Sequence, residues 1–223
     1  MKQIVSDFIM EIIPIEAGPI ATNCYVVFDE NSSKGVIIDT PPESVDIFTS
    51  LAKEKRLTID AVLLTHSHWD HTADAAELNR RTKAPIFIHK ADEYRLIAPM
   101  EHTVMTLPFE IEAAFPNNYL KDGALINCGK LTLEVIHTPG HTEGGVCFVE
   151  RNNKVVFVGD TLFFESIGRV DLPGGSMLTL LDSIKSKLLS LPDDFIVHCG
   201  HGPDTTIGYE RKNNPFLNGN YYY

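Results

Sequence analysis

The sequence has no Cys-x-x-Cys pair, no long apolar run, no low-complexity linker, no internal repeat and no excess of positive charge. Each absence removes a class of function. Its 19 Lys and Arg stand against 30 Asp and Glu, a net charge of -11. Binding to a phosphate backbone runs on clustered cations, so nucleic acid is not the expected partner. The four cysteines, Cys24, Cys128, Cys147 and Cys199, are scattered, as free thiols in a reducing compartment would be rather than a disulfide frame. Crossing a bilayer takes about 18 consecutive apolar residues, and no run approaches that. Near the N-terminus Asp7 and Glu11 interrupt any apolar stretch after Lys2, and no small-residue cleavage site follows, so no secretory signal is expected. The expectation is a cytoplasmic protein with no membrane partner.

What is present is ordinary globular material. A hydrophobic content of 43% with 22% charged residues gives a chain of 223 residues enough apolar surface for a large core. Glu11–Glu16, Cys24–Phe28 and Val36–Ile38 read as an antiparallel meander, with Pro14 placing the first strand at an edge. Glu43–Arg56 has Val45, Phe48, Leu51 and Ala52 at helical spacing. Asp60–Leu64 reads as a buried strand, Thr72–Thr82 as a helix, Pro85–His89 as a strand and Lys90–Ala98 as a short helix. Pro99–Asp122 has no clear period and reads as a long functional or mobile loop. Strands are expected over Ala124–Asn127, Leu131–His137, Val146–Glu150 and Val155–Val158, with Asn152-Asn153 turning a hairpin between the last two. A helix over Ser176–Leu189, a strand over Phe195–His198, a helix over Ile207–Asn213 and a docked or frayed tail from Pro215 to Tyr223 complete the chain. The alternation implies two similar halves packed together.

The densest chemistry lies directly behind the Asp60–Leu64 strand. Thr65-His66-Ser67-His68-Trp69-Asp70-His71 packs three imidazoles and a carboxylate into six residues. Such donors suit zinc, iron or manganese at neutral pH. Further candidates come off other strand ends, each beside a glycine: His141 after Gly140, Asp160 after Gly159, and His201 between Gly200 and Gly202. Strand ends in layered α/β folds converge on one rim, where ligands can meet on a rigid frame.

HSHWDH followed by His141, Asp160 and His201 resembles the five motifs of the metallo-β-lactamase superfamily, over nearly the whole chain. The resemblance implies an α/β fold, the αββα sandwich with mixed sheets and helices on the outer faces, formed by residues 1–223 as one domain. It implies two divalent metal ions, zinc first, with iron or manganese as alternatives. His66, His68 and His141 would hold one ion, Asp70, His71 and His201 the other, and Asp160 would bridge them. Asp70 would also orient the attacking hydroxide. His137 and His198 are expected to pack near the site without ligating, His89 and His102 to lie at the surface or in loops, Trp69 to wall the site, and Cys199 to be a small core residue.

Within the superfamily, Gly18–Val27, Gly159–Gly175 and Gly200–Phe216 are similar to the short bacterial form of the glyoxalase II-like hydrolases. The implied reaction is hydrolysis of a hydroxyacyl-glutathione or related thioester by a metal-bound hydroxide. Full-length glyoxalase II adds a C-terminal helical domain with basic residues that grip glutathione; here only the residues to Tyr223 follow His201, so that domain is expected to be missing. Arg169, with Arg211 and Lys212, is then the nearest candidate for a substrate carboxylate, although Asp171 offers Arg169 a simple ion pair. The rival readings are a persulfide dioxygenase with one iron, a lactonase or β-lactamase of the same superfamily, and a nuclease of that superfamily, against which the acidic charge weighs.

Overall fold

The computed structural model describes residues 9–219. The residues on which the secretory-signal expectation mainly rests, and the terminal tyrosines Tyr221–Tyr223, lie outside that range.

The chain begins with β1 (Met10–Ala17), β2 (Thr22–Asp29), β3 (Lys34–Ile38), α1 (Val45–Lys55), β4 (Thr58–Leu63), α2 (Trp69–Thr72), α3 (Ala75–Thr82) and β5 (Ile86–His89). It continues through α4 (Glu93–Ile97), α5 (Pro99–His102) and β6 (Asn118–Leu120). The second half holds β7 (Leu125–Cys128), β8 (Leu131–His137), β9 (Val146–Glu150), β10 (Val155–Gly159), β11 (Leu162–Phe163), β12 (Ser166–Ile167), α6 (Met177–Ser186), β13 (Ile196–Cys199), β14 (Thr205–Thr206) and α7 (Ile207–Asn213). One sheet runs β1-β2-β3-β4-β5-β6, and the other β14-β13-β10-β9-β8-β7. In the first sheet β1, β2 and β3 pair antiparallel, and β3 to β6 pair parallel. In the second, β10 and β13 form the parallel pair. Both sheets are mixed, as expected for the αββα sandwich.

Side-chain alternation builds the layers. Along β2, Tyr25 and Val27 join Leu133, Val135, Phe148 and Phe157 of the opposite sheet in the core between the sheets. Val26, on the other face, packs with Ile37, Val62, Phe48 of α1 and Leu78 of α3. Val149, Val156 and Val158 pack with Leu180 and Ile184 of α6. The central strands are thus covered on both faces, which is why Ala61–Leu64, Val146–Val149 and Val155–Val158 are unbroken apolar runs.

Three expectations change in detail. The Thr72–Thr82 helix is two pieces, because the Asp74 N–H donates to Thr40 O (3.0 Å) and not to a carbonyl of the preceding turn. The Asp74 carboxylate meanwhile accepts from the N–H groups of Ser44 (2.8 Å) and Val45 (3.1 Å) and so caps α1. Pro99–Asp122 is not wholly irregular: it contains α5 and β6, and β6 exists because it pairs with β5, a long-range contact that no local period records. The short strands β11, β12 and β14 were also not apparent in the sequence pattern. Pro14 does lie on the edge strand, and Phe216 and Leu217 of the tail pack against the α6 side of the core. Among the described residues no helix is long and apolar enough to cross a membrane.

Candidate metal centre

The site is built where β3 and β4 end side by side. Asp39 follows β3 in the left-handed region, at φ 61°, and is buried. This bend turns its carboxylate towards the chain leaving β4. Asp39 Oδ1 accepts from Thr65 N–H and Oδ2 from Thr65 Oγ1, both at 2.7 Å, and Oδ2 also accepts from His71 Nδ1 at 2.8 Å. Thr65 Oγ1 in turn lies 3.0 Å from His66 Nδ1 and accepts its proton. Asp39 therefore orients two imidazoles without joining the cluster. In the sequence it is only an acid at a strand end; its one signal is that this strand neighbours the one that carries the histidines.

The strand ends bring His66, His68, Asp70, His71, His141, Asp160 and His201 together. Three groups of donor atoms each lie within 4.8 Å of one another: His66, His68 and His141; His66, His71 and Asp160; and Asp70, His71 and His201. His141 Nε2 is 2.8 Å from His68 Nδ1 and 3.3 Å from His66 Nε2. His71 Nε2 is 3.2 Å from Asp70 Oδ2 and 3.2 Å from Asp160 Oδ1. Asp160 Oδ2 stands 3.5 Å from His141 Nε2 and 3.6 Å from His201 Nε2, so Asp160 faces both triads. Gly200 makes room for it: a Cβ there would lie 2.3 Å from Asp160 Oδ1.

The far nitrogens show which lone pairs are free. Nδ1 of His66 donates to Thr65, that of His71 to Asp39, that of His141 to Arg169 O (2.7 Å) and that of His201 to Ala21 O (3.3 Å). When neutral, a ring that donates through Nδ1 keeps Nε2 as a bare acceptor, as in histidines that ligate metals. His71 Nε2 and Asp160 Oδ1 are buried and have no hydrogen-bond partner. Buried polar atoms are normally satisfied, so two such atoms aimed into one nitrogen- and oxygen-lined cluster fit a divalent cation. His66, His68 and His141 would hold one ion, Asp70, His71 and His201 a second, with Asp160 between them.

Electrostatics divides the two groups. Burial, joined by the neighbouring imidazoles, pushes His66 well below its ordinary value. Burial and then His141 bring His68 down to about 3. Burial also acts to lower His71, but Asp70, Asp160 and Asp39 outweigh it and raise it. Asp70 is drawn well below the carboxylate range: burial opposes this, and His71 and His201 overcome it. Thr22 Oγ1 also donates to Asp70 Oδ2, at 3.1 Å.

The remaining histidines stay outside the cluster. His137 stacks on His89 with centroids 4.1 Å apart, and His198 bonds to Asp204 and stacks on Phe157. His102 lies on α5 against Tyr94. The four cysteines are buried and free, Cys199 among them. A cavity of about 510 Å³ opens over the cluster, walled by Trp69, Met105, Phe163, Ile167 and Leu172, with Arg169 also on its lining. The Arg169 Nε and Nη2 groups donate to the two carboxylate oxygens of Asp171, each at 2.8 Å.

Known proteins are similar to this chain in sequence and fold. Hydroxyacylglutathione hydrolase GloC of Haemophilus influenzae is 36% identical over 94% of this chain and 98% of its own. The crystal structure of BLEG-1 B3 metallo-beta-lactamase superposes with a TM-score of 0.86 at 37% identity, over 93% of this chain and 99% of that one. TTHA1623 in a di-iron-bound form gives a TM-score of 0.75 at 34% identity, over 92% of this chain and 100% of that one. The family model of the metallo-beta-lactamase superfamily matches residues 17–201, from the end of β1 to the last histidine of the cluster, and the chain belongs to that superfamily.

Proposed function

We propose that the protein is a metal-dependent thioester hydrolase of the glyoxalase II type, acting on a hydroxyacyl-glutathione or a related small thioester. The observation that carries the hydrolytic part is the pair of buried donors that no hydrogen bond satisfies, His71 Nε2 and Asp160 Oδ1, grouped with five further donors, four of which line an open cavity together with Asp160. The similarity to a hydroxyacylglutathione hydrolase over nearly its full length supports the thioester part.

Two divalent cations bound there would supply an ionised water at neutral pH and positive charge to polarise the carbonyl. The chain's own groups set the rest. Thr22 and His201 fix the Asp70 carboxylate, which stays ionised beside the reacting position. Trp69, Phe163 and Leu172 shield the acyl group from bulk water. A thiolate is a good leaving group, so hydrolysis needs no strong acid from the chain. Arg169 presents a guanidinium on the cavity lining for a substrate carboxylate, with part of its charge engaged by Asp171. The partner in this reading is a small molecule, and zinc, iron and manganese all suit the donor set.

The likeness to BLEG-1, named a metallo-beta-lactamase, favours β-lactam hydrolysis as a second reading. Steady-state rates on S-lactoylglutathione and on a chromogenic β-lactam, with metal content measured on the same sample, separate the two. Thiol release well above ring opening supports the first, and the reverse order sinks it. One iron per chain with oxygen uptake on glutathione persulfide would instead mark a dioxygenase.

A further inference from the structure

Asp92 lies at the end of the turn between β5 and α4, fully buried and outside the seven-residue cluster. Its carboxylate receives three hydrogen bonds. Oδ2 accepts from Ser67 N–H at 2.9 Å and from Thr142 Oγ1 at 2.8 Å, and Oδ1 accepts from Gly144 N–H at 2.6 Å. Ser67 stands between His66 and His68, and Thr142 follows His141. All three bonds therefore end on the two loops that carry the His66, His68 and His141 triad. One loop leaves the first sheet and the other joins β8 to β9 of the second, so Asp92 ties the two halves of the molecule at the site.

Two further features point the same way. A Cβ on Gly144 would lie 2.6 Å from Asp92 Oδ1, so a glycine is what lets that N–H come so close. The buried Arg95 stands 3.6 Å from Asp92 Oδ1 and bonds onward to Glu143 (2.8 Å) and to Pro173 O, balancing the buried charge. A buried carboxylate is costly unless fully hydrogen-bonded and paired, and apolar side chains of similar volume could glue two loops together as well. Apolar packing does not fix the distance and rotation of one loop relative to another as three directed bonds do. Metal affinity depends on that fixing, because ligands held at their binding positions need no rearrangement.

We propose that Asp92 is a positioning residue for the first metal position: it clamps Ser67 on one loop to Thr142 and Gly144 on the other and so sets the spacing of His66, His68 and His141. The inference rests on the metal reading of the cluster. Cobalt(II) is the probe, followed by its visible absorption. Loss of bands in His68→Ala and in His201→Ala assigns the spectrum to the first and second positions. Asp92→Asn keeps the shape but turns an amide N–H₂ towards a backbone N–H. It is expected to weaken cobalt at the first position by about 10–100-fold, the range found when groups supporting metal ligands are removed, and to leave the second unchanged. Thr142→Val removes one bond of the three at nearly constant shape and is expected to weaken the first position by a smaller factor. If Asp92→Asn does not fold, Thr142→Val decides alone. Unchanged cobalt affinity in the folded variants, or parallel loss at both positions, overturns the role of Asp92 while the metal reading stands. A wild-type chain that binds no cobalt overturns both.

Discussion

His71 Nδ1 donates to Asp39 Oδ2 across 2.8 Å, and both side chains are buried. This contact joins the end of β3 to the centre of the cluster, and through Thr65 it reaches His66 as well. Asp39→Ala would leave Thr65 N–H, Thr65 Oγ1 and His71 Nδ1 without their acceptor. A buried group left unpaired costs about 1–3 kcal/mol, so the metal-free protein is expected to lose at least about 3 kcal/mol. Urea unfolding of the metal-free variant reads this directly, and a midpoint equal to wild type would contradict it. Asp39→Asn, which keeps one acceptor oxygen, should fall between the two.

Removing a donor of the cluster tests the ligand assignment. His68→Ala is expected to lose the ion held with His66 and His141 and nearly all turnover, while the chain stays folded. Metal analysis and thiol-release rates on the purified variant check it. Full activity with two ions per chain would show that His68 is not a ligand.

The two positions should part company as pH falls. A histidine binds a metal only when neutral. In the metal-free protein His66 is held well below its ordinary value and His68 at about 3, so protons do not compete for these two rings until strong acid. His71 and His201 are raised: burial opposes this at both, but the surrounding carboxylates prevail. Their folded pKa values lie above the usual histidine value near 6.5, so on falling pH both take up protons that a metal must displace well before His66 and His68 do. The position made by Asp70, His71 and His201 is therefore expected to empty first on mild acidification, with proton release when it refills at neutral pH. Metal content after dialysis at a series of pH values measures this; loss of the His66, His68 and His141 ion first would refute it.

Arg169 and Asp171 form an exposed pair, and solvent screening leaves such pairs little part in stability. Variants here should fold normally and report on substrate alone. Arg169→Ala is expected to raise KM for an anionic thioester with little change in kcat, and Asp171→Asn, which frees the guanidinium, to lower it. Equal KM values in wild type and both variants would remove Arg169 from the substrate site.

Much of this was legible in the sequence, for identifiable reasons. The layered fold follows from apolar runs covered on both faces, such as Val155–Val158, and from the helical spacing of Val45, Phe48 and Leu51. The donors could be read because each leaves a strand beside a glycine or in the HSHWDH cluster. The groups that support them could not. Asp39 and Asp92 are single acids distant in sequence from the residues they hold, and only the pairing of β3 with β4 and of β4 with β5 brings them there. Substrate choice is hidden for a similar reason, since the cavity wall draws on α2, the loop after α5, and the stretch from β11 to Leu172.

The proposed role of the seven donors is to form a metal-dependent thioester hydrolase site. Thiol release from S-lactoylglutathione tests it most directly, followed on protein stripped with a chelator and then reloaded with zinc, iron or manganese. No release from the stripped protein, and turnover restored on reloading, is the predicted result. A protein carrying two ions per chain that releases no thiol from this or any other thioester would contradict it.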